Sequence, residues 1–285
     1  FMKLKFTKMQ GVGNDYIYID CFERDIRLDA QAISFLSDRR FGIGGDGVIF
    51  IRPCTKADGF MDMYNLDGSF GMMCGNGVRC VGKYLYDHGY AKSANVAVDT
   101  RSGVKTMTMQ LGADGKAVGA TVDMGVAVLE CRDIPVSYCG SNIEVPIKID
   151  CPGYSAAQIA TCVSMGNPHA VIFTDGIDSL DLERIGPYYE NYRLFPNKVN
   201  TEFAEVISSS ELRMRVWERG SGETLACGTG ACAVGVSAVL RGYCRYDSPV
   251  LVHLRGGDLT ISYSRSGAVT MSGAAAEVFT GEIDI

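Results

Sequence analysis

The chain has 285 residues, of which 47% are hydrophobic and 21% charged, a composition typical of a folded globular protein. Its net charge of −6 argues against nucleic acid and anionic membrane surfaces as partners, and it contains no run of about 18 apolar residues that could span a bilayer. Eleven cysteines are too few for a disulfide scaffold, and residues 2–6 alternate like a strand without the apolar core of a signal peptide, so we expect a cytoplasmic protein with reduced thiols.

The first half of the chain predicts a strand-rich structure. Residues 3–9 and 16–20 alternate as strands on either side of a turn at Gly13-Asn14-Asp15, and residues 29–39 have helical spacing. Further strands are predicted at residues 48–51, 60–64, 104–111 and 118–124, with a hairpin between the last two. The loop at residues 40–47 has four glycines, but a strand follows it and no Lys-Ser or Lys-Thr does, so it is not typical of a phosphate-binding loop.

The predicted strands of the first half are interrupted by a cysteine that precedes a glycine-rich turn. This motif is Met73-Cys74-Gly75-Asn76-Gly77. Apolar residues then recur at helical spacing until Gly89, namely Val78, Val81, Tyr84 and Leu85. The thiol is therefore expected at a helix N-terminus, where unpaired N–H groups and the helix dipole favour an anion. Such a position is expected to lower the pKa of the thiol and to offer a site for a carboxylate or phosphate. A thiolate beside a bound carboxylate could remove the proton next to that carboxylate.

The second half of the chain repeats this arrangement. Strands are predicted at residues 133–151, 155–164, 170–173, 199–206 and 212–218, and a helix at residues 180–189. A second cysteine turn, Ala226-Cys227-Gly228-Thr229-Gly230, precedes apolar residues at helical spacing that continue until Gly242. Strands at residues 250–254, 259–263 and 268–271 follow, and a last strand at residues 277–285 is expected to return to the first half.

The two halves match in one register. Cys227 lies 153 positions after Cys74 (227 − 74). The same offset relates three further pairs: Asn14 with Asn167, Asn65 with Glu218, and Gly47 with Asn200. We interpret this as a duplication and predict an α+β fold of two similar domains, formed by residues 1–127 with 273–285 and by residues 128–272. The predicted order of strands and helices contains few βαβ units and differs from that of a Rossmann fold.

These motifs resemble those of the diaminopimelate epimerase family. The resemblance runs from residue 3 to near the C-terminus and rests on the two cysteine turns and five other segments: Gly13-Asn14-Asp15, residues 65–68, Gly166-Asn167-Pro168-His169, Val199-Asn200 and Trp217-Glu218-Arg219-Gly220. Enzymes of this family interconvert the L,L and meso forms of 2,6-diaminopimelate in lysine biosynthesis. The resemblance implies two pseudo-symmetric domains, each a mostly antiparallel sheet curled around a central helix, with the active site in the cleft between them. It also implies a homodimer that needs no cofactor, neither metal nor pyridoxal phosphate.

The resemblance implies roles for individual residues as well. Cys74 and Cys227 match the catalytic pair, and His169 and Glu218 match groups that tune or assist the thiols. Arg219 matches the residue that pairs with the distant carboxylate of the substrate. The other substrate-binding matches are Asn14, Asn65, Gly75, Asn76, Asn167, Asn200, Glu218, Gly228 and Thr229. Many family members have a substrate-contacting glutamine where this chain has glycine at position 47, so no side-chain contact is expected there.

Two cysteines suit the chemistry of inversion at an α-carbon, because a proton must leave one face while another arrives on the opposite face. One group acts as thiolate base and the other as thiol acid, so their titrations are coupled. We expect oxidation to join Cys74 to Cys227 and stop activity. The remaining cysteines are expected to be packing residues: Cys21, Cys54, Cys80, Cys131, Cys139, Cys151, Cys162, Cys232 and Cys244.

Three alternatives to a diaminopimelate epimerase follow from the same residues. The first is a racemase of the same fold that acts on proline or hydroxyproline. The second is a thiol redox protein, which the lack of a Cys-x-x-Cys motif disfavours. The third is a zinc-binding module, although the cysteines lack paired short spacing and the three histidines are scattered.

Overall fold

The computed structural model describes residues 3–285, so Met2 of the first predicted strand lies outside the described residues. The chain divides into two compact units, one ending at Asp123 and completed by Ser272–Ile285, the other formed by Met124–Met271. Over the described range, no helix has the length and apolar character needed to cross a membrane.

The first unit is a mostly antiparallel sheet around a buried helix. Its elements are β1 (Lys3–Gly11), β2 (Asn14–Asp20), α1 (Ala30–Ser37), β3 (Gly47–Arg52), β4 (Gly59–Asn65), α2 (Gly75–Asp87), β5 (Asn95–Asp99), β6 (Lys105–Leu111) and β7 (Ala117–Val126). The pairs β1–β2, β3–β4, β5–β6 and β6–β7 are antiparallel, whereas β2–β3 and β4–β5 are parallel. Helix α2 packs on β1, β2, β4, β5 and β6, and every residue from Gly75 to Leu85 is buried. This is the central helix that the fold prediction required.

The second unit has the same plan. Its elements are β8 (Val145–Cys151), β9 (Tyr154–Ser164), β10 (Pro168–Phe173), α3 (Leu182–Glu190), β11 (Asn200–Ser208), β12 (Glu211–Glu218), β13 (Gly222–Thr224), α4 (Gly228–Leu240), β14 (Pro249–Leu254), β15 (Gly257–Tyr263) and β16 (Ala268–Ala274). The pairs β10–β11 and β12–β14 are parallel, and β8–β9, β9–β10, β11–β12 and β14–β15 are antiparallel. Helix α4 packs on β9, β10, β11, β12, β14 and β15. The last strand, β17 (Ala276–Asp284), pairs antiparallel with β1, as predicted.

Strand register confirms the duplication. Ile49 faces Met63 across β3 and β4, and Glu202 faces Val216 across β11 and β12. These two pairs are related by the offset found in the sequence, and the parallel pairs β2–β3 and β10–β11 agree in the same way. Helices α2 and α4 each contain 13 residues and begin at equivalent positions. A chance similarity of glycine and asparagine turns would not preserve strand register.

Several predicted boundaries differ from the structure, and two of these errors have a clear physical reason. The strand expected at residues 133–151 begins only at Val145, and the residues before it form turns. Ile134 and Val136 lie in that turn region but are buried in the core of the second unit, so their apolar character reflects burial rather than a strand. The helix expected from residue 180 begins at Leu182, because Asp181 is its N-cap and accepts a hydrogen bond from the N–H of Arg184.

We predict different responses to alanine at two equivalent glycines of the central helices. A Cβ at Gly82 would lie 2.3 Å from Sδ of Met107, and a Cβ at Gly235 would lie 2.7 Å from Cγ2 of Ile261. The thioether can move aside, whereas the β-branched side chain of Ile261 is buried and stiff. Gly235→Ala should therefore lower the free energy of unfolding by about 1–3 kcal/mol. Gly82→Ala should change it little, because alanine favours a helix by about 1 kcal/mol over glycine.

Denaturant unfolding of the two variants, followed by circular dichroism, measures this difference. Gly82→Ala serves as the control for Gly235→Ala, since both changes add one methyl group at the same helical position. A larger loss of stability for Gly82→Ala would contradict the packing argument.

Candidate functional site

Both cysteines cap the central helices, as predicted. Cys74 is the N-cap of α2 with an extended backbone, and its Sγ accepts a hydrogen bond from the N–H of Gly77 at 3.4 Å. Cys227 is the N-cap of α4, and its Sγ accepts from the N–H of Gly230 at 3.4 Å. Each sulfur therefore lies at the positive end of a helix dipole.

In the first unit, Asn14 connects Cys74 to the glycine-rich loop before β3. The thiol of Cys74 donates to Oδ1 of Asn14 at 3.1 Å, and Nδ2 of Asn14 donates to Oδ2 of Asp46 at 2.6 Å. Asp46 in turn accepts from Arg39 at 2.9 Å. Because an ionised carboxylate only accepts hydrogen bonds, Asp46 holds the Asn14 amide with its oxygen toward the thiol. Sequence reasoning missed this supporting role of Asp46.

The other candidates of the first unit differ in their placement. Gly75 and Asn76 form the first turn of α2 next to Cys74, where Arg79 donates to the carbonyl of Gly75 at 3.2 Å and to Oδ1 of Asn76 at 2.9 Å. The amide oxygen of Asn76 is thus engaged within the helix, and the backbone N–H groups are what this turn offers to an anion. Asn65 ends β4, and its Nδ2 donates to Oγ of Ser69 at 3.0 Å.

In the second unit, five candidates lie at one edge of the sheet, namely Asn167, His169, Asn200, Glu218 and Arg219. Strands β10 and β11 start there and β12 ends there, because β10 and β11 are parallel and β12 is antiparallel to β11. His169 is adjacent to Asn200 across β10 and β11, and its Nε2 lies 3.0 Å from Oδ1 of Asn167. Oδ1 of Asn200 accepts the N–H of Arg219 at 2.9 Å, which fixes the backbone from which the guanidinium extends.

Glu218, the last residue of β12, lies near the second cysteine. Its carboxylate accepts from the hydroxyl of Thr224 at 2.5 Å and raises the pKa of the Cys227 thiol. Oγ1 of Thr229 lies 3.5 Å from Sγ of Cys227. Glu218, Thr229 and the backbone N–H of Gly230 are therefore the groups that act on this sulfur atom.

The expected lowering of the thiol pKa is wrong for Cys227. Burial raises the pKa of this thiol well above its usual value, and the carboxylates of Glu218 and Glu202 raise it further, against the smaller effect of the Gly230 N–H. Burial also raises the pKa of the Glu218 carboxyl. The helix N-terminus is outweighed because loss of water and two nearby carboxylates both disfavour a thiolate.

Glu202 is a residue of this site that sequence reasoning missed. It lies wholly buried on β11, with Oε1 2.7 Å from Nδ1 of His169. A signal was present in the sequence, since strand periodicity places Glu202 on the same face as Asn200. A glutamate facing inward from a largely apolar strand is unusual without a specific partner.

The backbone explains the absence of the family glutamine. A Cβ at Gly47 would lie 2.1 Å from the carbonyl oxygen of Tyr64 on the neighbouring strand. A side chain at position 47 would fit only if β3 shifted against β4. The glycine at this position is therefore tied to the local backbone and is not an isolated change of one side chain.

The remaining cysteines are mostly packing residues, as predicted. Cys21, Cys80, Cys162, Cys232 and Cys244 are buried. Cys139 is exposed, so its assignment to packing is wrong. Within residues 3–285, no group of three or more His, Cys, Asp or Glu side chains is arranged to hold a metal ion.

Comparison with known proteins gives a consistent family. The diaminopimelate epimerase family model matches residues 6–130 and 161–278. The diaminopimelate epimerase of Desulfovibrio desulfuricans is 53% identical over 287 residues, which cover 98% of each chain. That of Leptospira biflexa is 49% identical over 284 residues and covers all of both chains. A solved structure of a probable proline racemase from Agrobacterium radiobacter K84 has a TM-score of 0.69 at 13% identity, covering 99% of this chain and 93% of that one, which shows a shared fold.

We predict that Cys227 is protonated at neutral pH in the substrate-free protein. Its thiolate absorbance, taken as the difference between wild type and Cys227→Ala, should appear only in alkaline solution, because burial and Glu218 raise the pKa. Glu218→Gln removes one of the two negative charges and should move this absorbance to lower pH. A thiolate at neutral pH in the wild type, or a shift to higher pH in Glu218→Gln, would contradict the electrostatic argument.

Proposed function

The chain belongs to the diaminopimelate epimerase family, and we propose that it interconverts L,L- and meso-2,6-diaminopimelate by passing a proton between Cys74 and Cys227. It is an isomerase. The observation that carries the mechanism is that each of two duplicated units holds one cysteine at the N-cap of a buried central helix. A duplicated fold with one thiol in each half supplies the two equivalent acid/base groups that inversion needs.

In the proposed step, a thiolate removes the α-proton of the substrate while a thiol delivers a proton to the opposite face. The raised pKa of Cys227 supports this residue as the thiol acid of the resting protein. The nearby Glu218 carboxylate, which raises the pKa of this thiol, supports Glu218 as the group that exchanges a proton with Cys227. For the reverse reaction the two cysteines exchange roles, and the pair titrates together.

The first turns of α2 and α4 are the proposed site for the carboxylate at the reacting end. Backbone N–H groups of Gly75, Asn76, Gly228 and Thr229 point out of these helix N-termini. Removal of the α-proton moves negative charge onto that carboxylate, so donors at a helix N-terminus stabilise the transition state more than the substrate.

Specificity for a long diacid is proposed to come from Arg219 and four asparagines. The guanidinium of Arg219, which donates to the carbonyl of Asn197 at 3.0 Å, can bind the distant carboxylate through two parallel hydrogen bonds. A monocarboxylic amino acid such as proline lacks that group. The residues proposed to orient the rest of the substrate are Asn14, Asn65, Asn167 and Asn200.

We further propose a cytoplasmic homodimer that serves lysine and peptidoglycan-precursor biosynthesis. Strand β17 exposes Val278 and Phe279, apolar side chains that a second copy of the chain would cover. An exposed cysteine such as Cys139 suits a compartment that keeps thiols reduced. The two epimerase domains are proposed as residues 1–127 with 273–285 and residues 128–272.

We predict that Cys74→Ala and Cys227→Ala each lose epimerisation by at least about 100-fold, because each removes one of the two acid/base groups. Nuclear magnetic resonance in deuterated water, with L,L- or meso-diaminopimelate as substrate, follows both α-hydrogen exchange and isomer conversion. Cys139→Ser, which changes an exposed thiol, is the matched control and should keep wild-type activity. Exchange with net inversion in either alanine variant would overturn the mechanism, and turnover of proline alone would overturn the substrate.

We also predict that mild oxidation joins Cys74 to Cys227 and that activity stops until a reductant is added, since two thiols that act on one carbon must approach each other closely in the working enzyme. Peptide mass mapping identifies the bond, and the Cys139→Ser protein should behave like the wild type. Full activity in protein that carries this bond would refute the proposed two-cysteine mechanism.

A further inference from the structure

Glu202 is a buried glutamate that the family resemblance leaves without a role. Its Oε1 lies 2.7 Å from Nδ1 of His169, and both side chains are inaccessible to solvent. Its Oε2 is buried and has no hydrogen-bond partner among the residues that the structure describes. Buried carboxylates are rare and are usually fully hydrogen-bonded. In Glu202 one carboxylate oxygen contacts a histidine and the second oxygen has no partner, which indicates a functional constraint.

The first unit shows the same position without this charge. At the offset that relates the two units, Glu202 corresponds to Ile49. Cδ1 of Ile49 lies 3.0 Å from the position of a Cβ at Gly77, and Oε1 of Glu202 lies 2.7 Å from the position of a Cβ at Gly230. Both side chains therefore pack on the first turn of the central helix. Since an apolar residue fills this position in one unit, packing alone does not require a glutamate in the other.

The contacts of His169 show what the glutamate does. Nδ1 faces the Glu202 carboxylate, and Nε2 lies 3.0 Å from Oδ1 of Asn167. An ionised carboxylate cannot donate a hydrogen bond, so the hydrogen bond at 2.7 Å requires a proton on Nδ1. A ring flip would break this bond, so Glu202 also fixes which edge of the imidazole faces Asn167.

Three titratable groups besides His169 lie around Glu202. These groups are Glu218 on β12, Cys227 at the start of α4 and Cys162 on β9. Burial raises the pKa of all three groups. Among these neighbours, the hydrogen bond of Glu202 is made with His169.

We propose that Glu202 is a positioning residue that acts through His169: its carboxylate keeps a proton on Nδ1 and directs Nε2 toward the sheet edge that carries Asn167 and Asn200. The histidine then presents one ring nitrogen in a single orientation to the candidate site. The effect on catalysis rests on the proposed function, whereas the position of the proton does not.

The position of the proton is tested by nuclear magnetic resonance of protein labelled with ¹⁵N-histidine. The chain has only three histidines, and the signal lost in His169→Gln assigns the one of interest. The wild type should show a protonated Nδ1, and Glu202→Gln should lose that proton, because a neutral amide holds it less strongly than a carboxylate does. An unprotonated Nδ1 in the wild type, or an unchanged signal in Glu202→Gln, would overturn the proposal.

Two further variants separate this effect from loss of structure. Glu205→Gln changes a glutamate on the same strand that pairs with Arg213 instead, so the His169 signal should stay as in the wild type. Glu202→Ile places at this position the residue type found at its equivalent, Ile49, and should fold and lose the Nδ1 proton. Two results would contradict the proposed role of Glu202. One is a His169 signal that also changes in Glu205→Gln, and the other is a folded Glu202→Ile protein in which His169 keeps the Nδ1 proton.

The kinetic consequence is tested by a double-mutant cycle. Glu202→Gln should lower kcat for diaminopimelate on the order of 10- to 100-fold, as loss of a group that orients a functional histidine does. In the His169→Gln background the same change should have no further effect, because Glu202 acts only through that ring. If Glu202→Gln lowered kcat by the same factor in the wild-type and His169→Gln backgrounds, the proposal would be overturned. If the protein does not turn over diaminopimelate, the proposed function fails, and the resonance experiment still decides the role of Glu202.

Discussion

The structure depends on one local constraint, a cysteine at the N-cap of a helix that is buried within its own sheet. The constraint needs glycine three residues later, since a Cβ at Gly230 would lie 3.2 Å from Sγ of Cys227 and 2.7 Å from Oε1 of Glu202. With glycine there, the helix N–H groups reach the sulfur and remain available to an anion beside it.

Burial has two opposing consequences at Cys227. It excludes water, which strengthens every interaction between the helix N-terminus and a negative charge. It also raises the pKa of the thiol, and nearby Glu218 adds to the effect. The proposed mechanism needs both protonation states of each thiol, and a protonated Cys227 in the resting state would provide the donor.

The two units keep one backbone plan and use different side chains to hold their cysteines. In the first unit, Asp46 fixes the amide of Asn14, and that amide accepts from the thiol of Cys74. In the second unit, the carboxylate of Glu218 lies near the thiol of Cys227 and raises its pKa. Duplication preserved strand register and helix position because these rest on many backbone hydrogen bonds, whereas single side chains around the thiols could change.

Sequence alone determined the features that depend on neighbouring residues. Glycine turns and apolar spacing placed both cysteines at helix starts, and the repeated offset identified the duplication, because these signals lie within a few residues or recur in register. Tertiary structure decided what depends on distant segments. Strands β11 and β12 bring Glu202 and Glu218 to Cys227, which reverses the pKa change expected from the helix alone. The turn containing Ile134 has the apolar character of a strand because the core buries it, and spacing does not distinguish these two causes.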